Sequence, residues 1–303
     1  MNAIVIENLR KRYGDVRAVD GVSFEVRQGE IFGMVGPNGA GKTTTIECLE
    51  GLRNPTEGRI SILGLDPQRQ GRELRERIGV QLQQSSLPDR LKVREALELF
   101  SAFYRRRADW RPLIHELGLE EKERATFGKL SGGQKQRLFI ALALLNEPEI
   151  VFLDELTTGL DPQARRAMWD LVKSIRDKGR TVFLTTHYME EAEELCDRVA
   201  IIDHGRIVAL DTPRNLIASL AAENRVTFSV DGPLDVSLFR SIPGVSRVDQ
   251  AGNGIAVFGR DDMLVVGVVM ALASAKIRFR DLRTEQPSLE DVFLALTGKE
   301  MRE

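Results

Sequence analysis

Three short stretches of the 303-residue chain combine residue types that handle phosphate and water. GPNGAGKTT, Gly36 to Thr44, fits GxxxxGK[ST] and follows the apolar run EIFGMV. Glycines at that spacing let the backbone curl until successive amide hydrogens face one phosphate chain, and a helix opening near Lys42 adds its positive end. Lys42 is then placed to reach the β and γ phosphates and Thr43 to ligate Mg²⁺. The second stretch, IVFLDELTTGLD, ends four apolar residues on adjacent carboxylates, Asp154 and Glu155. A buried strand beside the phosphate loop gives both a task. Asp154 holds the Mg²⁺ shell from a neighbouring strand, and Glu155, turned by a frayed strand end, polarises an attacking water. The third, LSGGQKQR from Leu130, joins a serine, two glycines and a basic helix start, a second anion-facing helix N-terminus far from the first.

Positioning these residues takes strands and helices in alternation. AIVIENL, VSFEV and EIFGMVG read as strands leading into the loop, and LKVREALELFSAFYRR and WRPLIHELGL as a helical insertion over about residues 86–136. EIVFLDE, ARRAMWDLVKSIRDKG, RTVFLTTH and DRVAIIDHGRIVAL then alternate strand and helix, which argues a mainly parallel sheet flanked by helices. From Arg225 a new cycle begins. RVTFSV, VSLFRSI, SRVDQ with GIAVFG, DMLVVGVVMALASA and IRFRDLR follow a βαββαβ order, a ferredoxin-like α+β domain over 225–303 that closes on the helix SLEDVFLALTG. No metal or catalytic cluster is encoded there.

Composition narrows the function classes. At 42% hydrophobic and 29% charged residues the chain reads as an ordinary globular protein, long enough for two domains. Its net charge of -2 gives no bulk attraction for nucleic acid, so none is expected as a partner. MNAIVIENLRKRYG alternates as a strand does, so no secretory leader is expected and the chain is expected to stay in the cytosol. Met263 to Ala275 is the longest uncharged apolar run at thirteen residues, short of the roughly 20 that span a bilayer. Cys48 and Cys196 are too few and too far apart for a disulfide framework or a zinc site.

With the lone His187 after TVFLTT, these motifs occur in the order that makes the chain resemble the nucleotide-binding subunit of ATP-binding cassette transporters over about residues 3–220. The resemblance implies an α/β P-loop cassette with a mainly parallel core, an antiparallel β subdomain and a helical subdomain, and ATP and Mg²⁺ as cofactors. It implies that Gly36, Pro37, Asn38, Gly39, Ala40, Gly41, Lys42, Thr43 and Thr44 bind ATP, and that Tyr13 stacks on adenine, with Val16 and Ala18 on the same face. Two chains of the family sandwich two ATP molecules, so Ser131, Gly132, Gly133 and Gln134 complete the partner's site and Asp161 crosses the interface. Gln83 matches the glutamine that senses Mg²⁺ and water and touches the membrane subunit, with Gln81 and Gln84 as competing registers. His187 matches the γ-phosphate switch. Glu155, His187, Lys42 and Gln83 are thus the catalytic set, and Thr43, Gln83 and Asp154, the last through water, the metal set. Leu156 and Leu82 stand where the family commonly has proline, a change in loop rigidity.

Both half-sites are intact in one chain, which suits an ATP-dependent homodimer. LTTHYMEEAEELCDRVAIIDHGRIVA and the closing PSLEDVFLALTG are similar to the ATPases of bacterial ABC-2 type multidrug and antibiotic exporters, including the daunorubicin-resistance group. That implies a separate multi-span permease and a chain docked at the cytoplasmic face of the membrane. The rival class, a soluble cassette ATPase of DNA repair, chromosome organisation or translation, usually shows long heptad arms, zinc-binding cysteines or tandem cassettes, and none is encoded here.

Overall fold

Uninterrupted apolar runs form the centre of the main sheet in the computed structural model, which describes residues 1–83, 85–105, 109–220, 223–230, 235–261, 263–285 and 287–298. β3 (Ile31–Val35), β6 (Ile150–Asp154) and β7 (Thr181–Thr186) are buried at every position, as strands covered on both faces must be. With β5 (Ile78–Gln81), β8 (Arg198–Asp203) and β9 (Arg206–Asp211) they make a six-stranded sheet in the order β5-β6-β7-β3-β8-β9. All neighbours pair parallel except the edge hairpin β8-β9.

A second sheet lies over the first. β1 (Asn2–Tyr13), β2 (Val16–Arg27) and β4 (Glu57–Ile62) pair antiparallel in the order β2-β1-β4. Phe24 of β2 stacks on Phe32 of β3 with ring centroids 5.0 Å apart, and Phe32 on Phe183 of β7 at 5.7 Å. Such offset aromatic contacts join the sheets into one core.

Helices fill the connections. α1 (Lys42–Leu49) follows β3 and α2 (Gly71–Arg75) precedes β5. α3 (Val93–Ser101), α4 (Arg111–Glu116) and α5 (Gly132–Leu144) lie between β5 and β6. α3 buries Val93, Ala96 and Leu97, the three- and four-residue spacing its sequence carries. α5 runs on past 136, because its buried run Leu138 to Leu144 brings the helix back against β5. α6 (Pro162–Asp177) and α7 (Met189–Leu195) follow β6 and β7.

The chain groups into two compact units, Met1–Pro213 and Arg214–Gly298. The division falls at the first residue of α8 (Pro213–Ser219). β10 (Asn224–Val230), α9 (Ser237–Arg240), β11 (Val245–Ala251), β12 (Gly254–Gly259), α10 (Leu264–Ser274), β13 (Phe279–Glu285) and α11 (Leu289–Thr297) complete the second unit. Its sheet order is β11-β12-β10-β13, every pair antiparallel, which is the split βαββαβ arrangement. Phe228, Phe239, Val257, Val268 and Leu272 form its own core. Among the described residues no helix is long and apolar enough to cross a membrane.

Candidate active site

Strands β5, β6, β7 and β3 run in parallel and lead their chemistry-bearing residues out at one edge. The phosphate loop follows Val35, Asp154 ends β6, His187 follows β7, and Gln83 lies two residues past β5. Val35 pairs with Thr186 and Asp154 with Thr185 in the sheet register. Asp154 was expected on a strand neighbouring the loop's own, but β7 is inserted between β3 and β6. Thr185 of β7 spans that gap. Its hydroxyl donates to Asp154 Oδ1 and accepts the Glu155 N–H at 3.2 Å, while its carbonyl accepts the same N–H at 3.0 Å.

The loop is shaped by two glycines with no room for a side chain. A Cβ at Gly36 would meet the Ile202 carbonyl oxygen at 2.2 Å. At Gly41, the residue capping α1, it would meet the Ala18 carbonyl oxygen at 2.3 Å, and φ is +106°. Lys42 folds back into the curl, 4% exposed, donating to the carbonyls of Gly36 at 2.8 Å and Pro37 at 3.2 Å. Its Nζ lies 3.4 Å from Glu155 Oε1. Burial pulls the Lys42 ammonium below its ordinary range, and the carboxylate of Glu155 opposes that shift.

Asn38, Gly39, Gly41, Lys42, Thr43 and Thr44 line one side of a cavity of about 470 Å³, together with Tyr13, Ala18, Gln83 and Glu155. Gly36 and Ala40 are buried under the loop and Pro37 is half-buried. Tyr13 is 41% exposed, with the Lys11 ammonium 5.1 Å from its ring centroid. Val16 is largely exposed and does not line this cavity.

The backbone turns over between the two acids, and of the pair Glu155 lines the cavity. Successive strand residues point to opposite faces, but Glu155 sits at φ +48°, a left-handed conformation that costs a non-glycine residue about 1 kcal/mol or more. Its carboxylate, 6% exposed, accepts from Gln83 Nε2 at 3.0 Å and Thr158 Oγ1 at 3.4 Å. His187 Nδ1 lies 3.3 Å from Glu155 Oε2 without a hydrogen bond between them. Desolvation raises the Asp154 carboxyl, with the hydrogen bond from Thr185 pulling the other way. Gln81 faces away, buried, donating to the Leu82 carbonyl at 2.7 Å, and Gln84 lies outside the described residues.

Thr43 and Asp154 offer hard oxygen donors of the kind Mg²⁺ takes. Among the described residues no group of three or more His, Cys, Asp or Glu forms a metal cage. That fits an ion held by one or two protein oxygens plus phosphates and water.

LSGGQ lies elsewhere in the chain. Ser131 caps α5, accepting from the Gln134 N–H at 3.3 Å while Gln134 Oε1 accepts the Ser131 N–H at 3.0 Å. Residues 131–134 do not line the phosphate cavity. A Cβ on Gly132 or Gly133 would meet only ordinary contacts, at 3.8 and 3.7 Å, so nothing among the described residues requires a glycine at either place. Asp161 is exposed and caps α6, accepting from the Ala164 N–H at 2.9 Å. Leu156 is buried and Leu82 exposed. Thr185 had no sequence signal beyond a polar residue ending an apolar run.

A family model described as ABC transporter matches residues 19–158. The chain is 40% identical over 306 residues to Nod factor export ATP-binding protein I of Burkholderia orbicola, covering 99% of this chain and 98% of that one. The chain belongs to the ATP-binding cassette family. This ABC ATPase is also 39% identical to daunorubicin resistance ATP-binding protein DrrA3 of Streptomyces coeruleorubidus, over 99% of this chain and 97% of the relative. A solved ABC cassette, a dimer in a post-hydrolysis state bound to ADP and Pi, matches with a TM-score of 0.61 at 29% identity, covering 69% of this chain and 98% of its own. The α/β cassette fold expected from the motifs is the fold of that neighbour.

Proposed function

We propose that this ABC ATPase drives efflux of drugs, antibiotics or other hydrophobic compounds through a separate ABC-2 type permease, acting as an ATP-dependent homodimer at the cytoplasmic face of the membrane. The observation that carries it is the extent of the likeness to relatives named for export and drug resistance, which takes in 99% of the chain and so both units.

In this reading Lys42 leaves Glu155 for the γ-phosphate, and the freed carboxylate takes a proton from the attacking water. Gln83 and His187 hold that carboxylate in place, Thr185 orients Asp154, and Tyr13 stacks on adenine. Thr43, Gln83 and, through water, Asp154 would hold Mg²⁺, which would supply charge neutralisation at the transferring phosphoryl group. Ser131, Gly132, Gly133 and Gln134 of a second copy present a helix N-terminus to the same phosphates, with Asp161 at the interface.

A second cavity, of about 720 Å³, supports a membrane partner: Leu82 and Ser85, on either side of the Gln83 stretch, line it together with Phe100 and Phe103. A segment seated there would feel the position of Gln83. The test is drug accumulation in cells deleted for the chain: wild type should restore low accumulation and Glu155→Gln should not. Equal accumulation with and without the chain, across a panel of hydrophobic antibiotics, argues against export.

A further inference from the structure

Two cations converge on the ring that the proposed mechanism sets against adenine. Lys11, two residues before Tyr13 on β1, places its ammonium 5.1 Å from the Tyr13 ring centroid, and the Arg53 guanidinium lies 5.6 Å from it. A cation over an aromatic face is attracted by the negative charge of the ring's π cloud. Each cation is also tethered. Lys11 Nζ donates to the Asn54 carbonyl at 2.8 Å, and Arg53 is held by the Glu47 carboxylate, with Nη2 donating to Oε1 at 3.2 Å.

The backbone fixes both cations from behind. Arg53 follows α1, where the N–H groups of Leu52 and Arg53 both donate to the Glu47 carbonyl, at 2.9 and 3.1 Å. Beyond it, the Thr56 N–H donates to the Arg10 carbonyl at 2.7 Å and the Thr56 hydroxyl accepts the Arg12 N–H at 3.1 Å, so residues 53–56 run beside β1. The helix that supplies Glu47 is the one whose N-terminus closes the phosphate loop. Ring, cations and loop are thus one connected piece.

Tyr13 is 41% exposed, so without its tethers the ring would be free to turn. Tyr13 lines the phosphate cavity whereas Lys11 and Arg53 do not, so the cations meet the ring away from the cavity and leave it surface for a base. An ordered ring loses less freedom when a base stacks on it. Positive charge on one side also draws π density from the other, which suits an electron-rich adenine.

We propose that Lys11 and Arg53 are positioning residues for nucleobase recognition, holding and polarising Tyr13 so that a base-bearing nucleotide is preferred over the bare triphosphate. The inference rests on the reading of Tyr13 as the adenine platform. Both cations act through the ring and not on phosphate.

Calorimetric titration of the full chain with Mg²⁺ and either ATP or inorganic tripolyphosphate separates this from a general attraction for anions. Methionine keeps the apolar stem of either side chain without its charge. Lys11→Met should weaken ATP binding about two- to fivefold, Lys11→Met with Arg53→Met should weaken it further, and Lys11→Arg should restore it, while tripolyphosphate affinity holds throughout. On a Tyr13→Leu background, itself weaker for ATP, the paired change should cost nothing more. Wild-type ATP affinity in the paired variant overturns the inference and leaves the stacking reading standing. So does an equal loss for tripolyphosphate, which would make the two cations a general phosphate attraction, and so does an undiminished loss on the Tyr13→Leu background. Wild-type ATP affinity in Tyr13→Leu itself removes the stacking reading and the inference together.

Discussion

Lys42 Nζ and Glu155 Oε1 lie 3.4 Å apart with side chains only 4% and 5% exposed. The cation that is to grip phosphate and the carboxylate that is to activate water therefore hold each other. Glu155 offsets part of what burial costs the Lys42 ammonium. On the proposed mechanism, phosphate drawing Lys42 away would leave Glu155 to Gln83 and His187, so that nucleotide binding and arming of the base would become one event.

Removing the charge on Glu155 should strengthen ATP binding. Glu155→Gln keeps the shape but frees Lys42, and ATP should bind at least about threefold tighter, ~0.7 kcal/mol. Lys42→Ala should bind about tenfold more weakly or worse, ~1.4 kcal/mol. Titration with a fluorescent ATP analogue reads both. Unchanged affinity in Lys42→Ala contradicts the assignment of the loop.

Thr185→Val should act through the metal. Loss of the hydroxyl removes the donor that holds Asp154, so the Mg²⁺ concentration for half-maximal hydrolysis should rise several-fold, and Thr185→Ser should restore it. A fall in rate with no change in Mg²⁺ dependence would make Thr185 a packing residue only.

Gly132→Ala and Gly133→Ala meet no clash in the chain. Alanine is the better helix residue by up to about 1 kcal/mol, so the melting temperature should hold or rise. Hydrolysis should nonetheless fall, because on the proposed mechanism a partner's ATP would approach that backbone. Melting curves and steady-state rates on the same preparations separate the two effects.

Glu50 sets a pH dependence. Burial, followed by the nearby Asp154, pushes its carboxyl up to about 9 when folded, against 4.5 as the ordinary value. Between those limits the folded state binds more protons than the unfolded chain, so this contribution to stability is present below about 4.5 and is lost as pH rises towards 9. Denaturant unfolding of wild type and Glu50→Leu at pH 6 and pH 8 tests it. The advantage of the leucine variant should grow with pH, by up to about 1.4 kcal/mol per unit. A constant difference means Glu50 does not titrate in that window.

Much of the site was legible because its parts are local. GPNGAGKTT dictates a loop and helix start by its own glycines, and IVFLDE a strand ending in two acids. The relation between those parts was not. Strand order is a tertiary property, so the insertion of β7, and with it Thr185 beside Asp154, has no mark in the spacing. The left-handed turn at Glu155 is imposed by the sheet edge and not by residue type, since glutamate rarely adopts it. Gln81 and Gln83 differ only in whether they fall inside or beyond β5, which decides the 720 Å³ cavity against the phosphate cavity. Glu50 reads as an ordinary helical glutamate until its neighbours are known. In the second unit the alternation of Val226, Phe228 and Val230 declared β10, whereas the helix expected from VSLFRSI is a single turn.

The central claim is that Glu155 is the base of a site closed by a second copy of the chain. Light scattering of Glu155→Gln with Mg²⁺ and ATP, alongside its turnover, tests it most directly. The expected result is a species of twice the chain's mass that hydrolyses ATP at least about 10²-fold more slowly than wild type. Wild-type turnover, or a monomer with ATP bound, would contradict it.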